Sequence, residues 1–237
     1  MTNSNDNDGL DIAGFGKIAK AIPPKVYERS ASTLLTAFQQ LTAPITETTG
    51  GLGRYLKQKF DNMVEAEKAI ATYTVEKAIA RAKERAQIAG REVHPPANSK
   101  SFVKAIEEAS KETDPLLHEM WANLIASQLS DEVCHPHFVE VLPHFSPAEA
   151  QLLISLVPLS EVGATGGTYA SPRDDTFQFW MSKAGDEPRP WSISCVLLRE
   201  FRFADVVPPA SSKTLHTAIL YRTAVGSKFL SAVSQKG

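Results

Sequence analysis

Residues 116–153 read LLHEMWANLIASQLSDEVCHPHFVEVLPHFSPAEAQLL and contain the strongest helix signals of the chain. Asp114 and Pro115 favour the N-cap and the first turn of a helix, so they predict a helix start. An apolar stripe follows at helical spacing, and Trp121 is predicted to anchor the core from it. The run Ser146-Pro147-Ala148-Glu149 matches a capping box and predicts a second helix over residues 147–156.

The chain before this stretch is predicted to be a leader and a helical arm. Residues 1–12 are rich in Asn and Asp and are expected to be disordered. Residues 13–92 are predicted to form the arm, with one helix over residues 25–43 and one long helix over residues 52–89. A helix of that length would span roughly 55 Å, more than the width of a small domain. We therefore expect it to project, to bend, or to pair with a second copy in a homo-oligomer.

The chain after residue 92 is predicted to contain two further parts. Pro95 and Pro96 favour a boundary, so residues 93–159 are expected to form a helical core. In residues 160–237 the patterns predict a strand at 176–181, a helix at 193–203, a strand at 214–221 and a helix at 223–233. This alternation predicts a small winged-helix-like α+β module at the end of a mainly α protein.

Composition excludes several classes of protein. The formal net charge is −2 and the hydrophobic fraction is 43%, which exclude a uniformly basic nucleic-acid coat and a highly charged disordered chain. There is no apolar run long enough to span a bilayer, and the first residues are polar and acidic, unlike a secretion signal. The two cysteines form no CxxC pair, which favours a reducing compartment. We expect a cytoplasmic protein.

The charge is unevenly distributed along the chain. Residues 52–92 hold nine basic and six acidic residues, residues 101–140 hold two and eight, and residues 191–237 hold six and two. One interpretation is that the oppositely charged segments dock against each other. The other is that the C-terminal module contacts nucleic-acid phosphates, DNA included. The residues predicted to make that contact are Arg199, Arg202, Arg222 and Lys228.

Other candidate sites are weaker. Cys134, His135, His137 and His144 are metal-ligand types at short spacing, but the spacing matches no standard zinc site, so we expect no metal and no cofactor. Six carboxylates could supply acid–base chemistry, although a solvated face explains them better: Glu107, Glu108, Glu112, Glu119, Asp131 and Glu132. No nucleophile elbow is present, and we assign no catalytic residue. Residues 14–22, GFGKIAKAI, are a candidate peripheral contact with a membrane.

Three short motifs carry a resemblance to a bacterial family. Residues 120–127, MWANLIAS, resemble the first motif of the abortive infection alpha (Abi-alpha) family, and residues 135–140 and 146–150 resemble the two that follow. Cys134 and Phe145 stand where that family often has Val and Leu. The motif residues expected to be structural are Trp121, Asn123, His135, Pro136, Phe138, Ser146, Pro147 and Glu149. Residues 221–229 resemble the ending of family members.

The resemblance implies a role in phage defence by abortive infection, and it implies no reaction. Our first hypothesis is a non-enzymatic defence protein that acts through contacts with a phage or host protein. The alternatives are a winged-helix regulator that binds nucleic acid and an effector that perturbs membranes through residues 14–60. Within the first motif, Asn123 is polar on an apolar helix. We predict that it bonds backbone near His135 or Glu140.

Overall fold

The computed structural model describes residues 22–29, 31–46, 51–130, 134–161, 168–170, 178–181, 189–190, 193–207 and 218–235. By its contacts the chain divides into two compact units, residues 1–140 and 141–237. The predicted leader, residues 1–12, lies outside the described part. The boundaries of the predicted segments 13–92, 93–159 and 160–237 were drawn where the amino-acid composition changes. They stay predictions.

The first unit is built from helices. They are α1 (Pro24–Tyr27), α2 (Ala31–Thr46), α3 (Leu52–Asp61), α4 (Glu65–Ile88), α5 (Ser99–Ala109) and α6 (Pro115–Ser130), with α7 (His137–Val141) at the boundary. The long helix α4 packs against α1, α2, α5 and α6. The mainly helical class predicted from the sequence is confirmed.

The predicted single helix over residues 52–89 is wrong, because the chain forms two helices there. Asn62 closes α3, and its N–H donates to the carbonyl of Gln58 at 3.3 Å. Val64 is extended, with φ −72° and ψ 161°, and its N–H donates to the carboxylate of Glu67 at 3.3 Å. The Glu67 carboxylate thus caps the N-terminus of α4. The resulting bend lets α3 pack against α2 and α5 of the same unit.

Helix α6 lies in the middle of this unit and is buried along nearly its whole length. Trp121 is 1% exposed, so the predicted core anchor is confirmed. The predicted N-cap is also present. The Asp114 carboxylate accepts hydrogen bonds from the N–H groups of Leu116 at 2.9 Å and Leu117 at 3.1 Å. This local chemistry starts α6 where the sequence says it should.

In its described residues, the second unit combines three α-helices with a small sheet. Its elements are a 3₁₀ turn (Leu142–His144), α8 (Pro147–Ser155), a second 3₁₀ turn (Leu159–Glu161), β1 (Thr168–Ala170), β2 (Gln178–Met181), β3 (Arg189–Pro190), α9 (Ile193–Glu200), β4 (Ala204–Val207), β5 (Ala218–Arg222) and α10 (Ala224–Val233). The sheet is antiparallel, in the order β3-β2-β1-β5-β4.

This topology only partly follows the prediction for the C-terminal module. Strands β2 and β5 and helices α9 and α10 were predicted, whereas β1, β3 and β4 were not. Residues 206–207, expected to end a helix, instead lie in β4, which pairs with β5 through Val206 and Leu220. Three strands precede α9, so the predicted order of helix, strand, helix, strand, helix is not what the chain forms. The α+β character is confirmed and the winged-helix arrangement is not.

Aromatic side chains form the core of the second unit. The rings of Phe203 and Phe229 stack with centroids 4.5 Å apart, and Phe145 lies 5.4 Å from Phe229. Gly226, in the first turn of α10, lies against the backbone of Phe203. A Cβ placed on Gly226 would be 2.1 Å from the Phe203 carbonyl oxygen. Only glycine permits this approach of helix to loop.

Candidate functional site

A polar seam joins α4 and α6, and two residues of the first motif, Asn123 and Ser127, lie at one end of it. At the opposite end of the seam, Thr74 Oγ1 donates to the carbonyl of Ile70 at 2.8 Å and lies 2.7 Å from His118 Nε2. Because the hydroxyl proton of Thr74 is already given to Ile70, its oxygen accepts the proton of His118. His118 is therefore protonated at Nε2. The His118 side chain is buried, and its ring stacks on Tyr73.

The middle of the seam is an ion cluster. Lys77 and Arg81 of α4 both contact the carboxylate of Glu119, which stands next to His118. Burial acts to raise the pKa of Glu119, but hydrogen bonds from the two cations hold it below its ordinary value. Burial, and then the positive charge of Lys77, lowers the pKa of His118 to about 4. His118 is consequently neutral at pH 7.

The other end of the seam holds Asn123, a polar residue of the first motif. Arg85 of α4 donates to Asn123 Oδ1 at 3.0 Å, to the Asn123 carbonyl at 3.3 Å and to Ser127 Oγ at 2.6 Å. All three residues are buried. The prediction that Asn123 bonds backbone near His135 or Glu140 is wrong. The actual partner lies 38 residues before it, on another helix.

The seam shows which polar residues sequence reasoning missed. Asn123 was singled out, but its partner Arg85 and the Thr74–His118 pair were not. A signal did exist, because Thr74, Arg81 and Arg85 recur at helical spacing on α4, opposite polar residues of α6. The uneven charge of the sequence also predicted contacts between the segments that contain these two helices. The predicted docking of oppositely charged segments is found in the contacts of Lys77 and Arg81 with Glu119.

The second motif lies at the start of α7. Phe138 is 5% exposed, and its ring centroid lies 6.2 Å from that of His135. His135 Nδ1 accepts a hydrogen bond from the N–H of His137 at 3.2 Å. Pro136, which is partly exposed, supplies the carbonyl that accepts from Val139 at 3.1 Å and opens the turn.

The third motif forms a buried carboxylate site in the second unit. The predicted capping box is confirmed: Ser146 Oγ accepts from the N–H of Ala148 at 3.2 Å, and the Ser146 N–H donates to Glu149 Oε2 at 2.7 Å. Pro147 occupies the first helical position. Ser194 of α9 donates to Glu149 Oε1 at 2.5 Å.

The Glu149 carboxylate therefore ties the start of α8 to the start of α9. Burial acts to raise its pKa, but the hydrogen bonds from Ser146 and Ser194 hold the pKa of Glu149 below its ordinary value. Glu149 is 3% exposed. Its charge is balanced by hydrogen bonds within the unit, which is the role expected of a structural carboxylate.

The candidate metal ligands form no site in the described ranges. No group of three or more His, Cys, Asp or Glu side chains there could hold a metal ion. The rings of His135 and His137 lie edge to face, with centroids 6.3 Å apart. His144 instead stacks on Phe201 within the second unit. Of the candidate acid–base carboxylates, Glu107 pairs with Lys59 at 3.1 Å and Glu119 with Lys77 and Arg81.

The four residues predicted to contact nucleic acid have different surroundings. Arg222 Nε donates to Ser227 Oγ at 3.1 Å, and its Nη1 lies 3.5 Å from the carbonyl of Leu153, so it joins elements of the second unit. Arg199 lies 3.9 Å from the Asp205 carboxylate. Arg202 adopts a positive φ of 61° and is exposed, as is Lys228.

Within the described ranges, no helix combines the length and the apolar composition that crossing a bilayer requires. The candidate membrane segment, residues 14–22, lies outside those ranges apart from Ile22. Ile22 is 2% exposed.

Comparison with known proteins finds a family model that matches the part of the chain containing the seam. The family model described as abortive infection alpha matches residues 66–179, a region that contains nearly all of α4, the whole of α6 and the three motifs. Neither a curated protein nor a solved structure gives a significant match. The family's description implies a role in phage defence by abortive infection. The resemblance to the abortive infection alpha family, predicted from the three motifs, is therefore confirmed over residues 66–179.

Proposed function

We propose that the protein acts in abortive infection by contacting a phage or host protein, and that it catalyses no reaction. The observation that carries the defence role is the family match over residues 66–179. The proposal that it acts through contacts rests on where the motif side chains lie. The partner is expected to be recognised by surface residues that surround the motif core.

The buried positions of the motif groups support contact rather than catalysis. Asn123, Ser127 and Glu149 are each less than 5% exposed and each has a hydrogen-bond partner inside its own unit. A general acid or base must come within hydrogen-bond distance of its substrate. These groups instead hold helices together.

The proposal is tested by infection of cells that express the protein. Bacteria with and without the gene are infected at low and at high phage-to-cell ratios, and plaques and surviving cells are counted. We expect fewer plaques at the low ratio and loss of the culture at the high ratio, because each infected cell stops growing. Equal plaque numbers with and without the gene would contradict the defence role.

Two further measurements test the finer claims. Affinity purification of the tagged protein from infected and uninfected cells should recover a protein partner, and recovery of nucleic acid alone would contradict the proposal. Glu119 is the accessible carboxylate of the seam, with a side chain 41% exposed. If no acid–base step is involved, Glu119→Gln should still protect. Loss of protection by a stably folded Glu119→Gln protein would contradict the non-enzymatic assignment.

A further inference from the structure

The sheet of the second unit has two edges among the described strands, β3 and β4. An unpaired strand edge presents a row of N–H and C=O groups that can pair with a strand of another molecule. Strand β3 has only two residues, Arg189–Pro190, and its proline has no N–H to donate. Strand β4, Ala204–Val207, is longer and pairs within the described ranges with β5 alone. The edge at β4 is therefore the one at which another strand could add.

The register of β4 shows which of its backbone groups point away from the sheet. Antiparallel partners alternate between pairs that exchange backbone hydrogen bonds and pairs that do not. Arg222 stands opposite Ala204, but its N–H donates away from β4, to the Val157 carbonyl at 2.8 Å. This pair therefore exchanges no hydrogen bond. Two residues along β4, Val206 stands opposite Leu220 in a pair of the same kind. The N–H of Val206 consequently points outward, to the open edge.

The outward N–H of Val206 is already occupied. It donates to Oδ1 of Asp205, the preceding residue, at 2.8 Å. The Asp205 side chain is 55% exposed, and its carboxylate lies 3.9 Å from Arg199 Nε on α9. A strand that added to this edge would have to displace the carboxylate from the N–H and bury a charged group. Asp205 therefore makes the addition of a strand at β4 less favourable.

We infer that Asp205 protects the edge of β4 against pairing with β4 of a second copy of this chain. Two identical antiparallel edges complement each other, so the same strand of two copies can pair about a two-fold axis. Without the Asp205 carboxylate, the Val206 N–H would be free to donate to the second copy. The inference goes beyond the proposed function and does not depend on it.

The test compares the self-association of the full-length protein and its variants by sedimentation velocity. Asp205→Val removes the acceptor and the charge, and valine favours strands. We expect Asp205→Val to associate at a concentration about tenfold lower than the wild type does. The matched control, Glu200→Val, makes the same kind of change at an exposed residue of α9 and should behave as the wild type. Association of Asp205→Val no tighter than that of Glu200→Val would overturn the inference.

A second variant, Asp205→Asn, separates the hydrogen bond from the charge. Its side-chain oxygen can still accept from the Val206 N–H, so we expect it to associate no more than the wild type. At concentrations where no variant associates, the Val206 amide hydrogen should exchange with solvent about fivefold faster in Asp205→Val than in Asp205→Asn. Equal exchange rates, or association of Asp205→Asn as tight as that of Asp205→Val, would overturn the assignment of the hydrogen bond as the protecting contact.

Two further measurements show where the copies meet and whether they are folded. Amide NMR shifts of Asp205→Val that change with protein concentration should appear in β4. Shifts confined to other elements would overturn the inference, because the copies would then meet through another surface. Circular dichroism should show a native spectrum for the associated protein. Association that follows loss of this spectrum would also overturn the inference, because unfolded chains rather than the edge of β4 would then cause it.

Discussion

In the first unit, α4 and α6 meet through a seam of hydrogen bonds and ion pairs that ends in Arg85, Asn123 and Ser127. In the second unit, the core is made by stacked rings such as Phe203 and Phe229 and by the close approach of Gly226 to backbone. Polar contacts position neighbouring helices by pairing particular atoms, whereas apolar packing positions them by the fit of their shapes. The two units should therefore respond to different perturbations.

The largest effect is expected from Gly226→Ala in the second unit. The new Cβ would lie 2.1 Å from the Phe203 carbonyl oxygen, and backbone cannot move away as a flexible side chain could. We expect a loss of about 4 kcal/mol in the free energy of unfolding, or failure of the second unit to fold. Chemical denaturation followed by circular dichroism measures it.

The matched control is Gly90→Ala. Gly90 has a φ of +65°, but a Cβ there would meet nothing within 4 Å. Its cost should be only that of a left-handed alanine, about 1 kcal/mol. If Gly226→Ala lowers the free energy of unfolding no more than Gly90→Ala does, the close contact between Gly226 and the Phe203 backbone does not hold the second unit together as described.

The second-largest effect is a pH dependence of the stability of the first unit. The pKa of His118 is lowered from 6.5 to about 4, first by burial and then by Lys77, with Glu119 opposing and Arg81 adding to the shift. The unfolded chain therefore binds the proton more readily. The contribution of neutral, buried His118 to the free energy of unfolding is therefore fully present above pH 6.5 and is lost as the pH falls toward 4. The full loss corresponds to about 3 kcal/mol.

Unfolding measured by urea at several pH values tests this dependence. His118→Gln is the control, because its amide can donate to Thr74 but does not titrate. Burial also raises the pKa of Glu112, which affects both proteins equally. The difference between the two curves should grow above pH 4 and level off near 6.5. Parallel curves would contradict the assignment of a buried neutral His118.

The sequence predicts what local chemistry determines. The caps at Asp114 and Ser146 were predicted because cap and first turn are adjacent in sequence. The break at residues 62–64 was missed because it contains no glycine or proline, and its signal, Glu67 bonding back to Val64, is a weak one. Arg85 was missed as the partner of Asn123 because only the packing of α4 on α6 brings them together. Strands β1, β3 and β4 depend on distant pairing in the same way.

The third effect is the loss of the Asn123 side chain. Asn123→Ala removes the acceptor of Arg85 at 3.0 Å while leaving the arginine buried. We expect a loss of about 2 kcal/mol in the free energy of unfolding, because a buried charged donor loses an acceptor. Thermal and urea unfolding measure it. Asn123→Asp, which keeps an acceptor oxygen at the same place, should cost less, and the reverse order would show that Arg85 does not depend on this acceptor.

The smallest effect is expected at the ion cluster of the seam, because Glu119 is partly exposed and solvent screens it. Glu119→Gln should cost about 1 kcal/mol, and about 1 M salt should reduce the difference from wild type. The substitution should also act on His118. Glu119 favours the protonated imidazole, so its loss leaves only Lys77 and Arg81 beside the ring, and the pKa of His118 should fall further. In ¹⁵N NMR titrations, the protonation midpoint of His118 should therefore move to lower pH in Glu119→Gln. A midpoint that stays in place would mean that burial alone sets the charge state of His118, and that the ion cluster and the Thr74–His118 pair are separate parts of the seam.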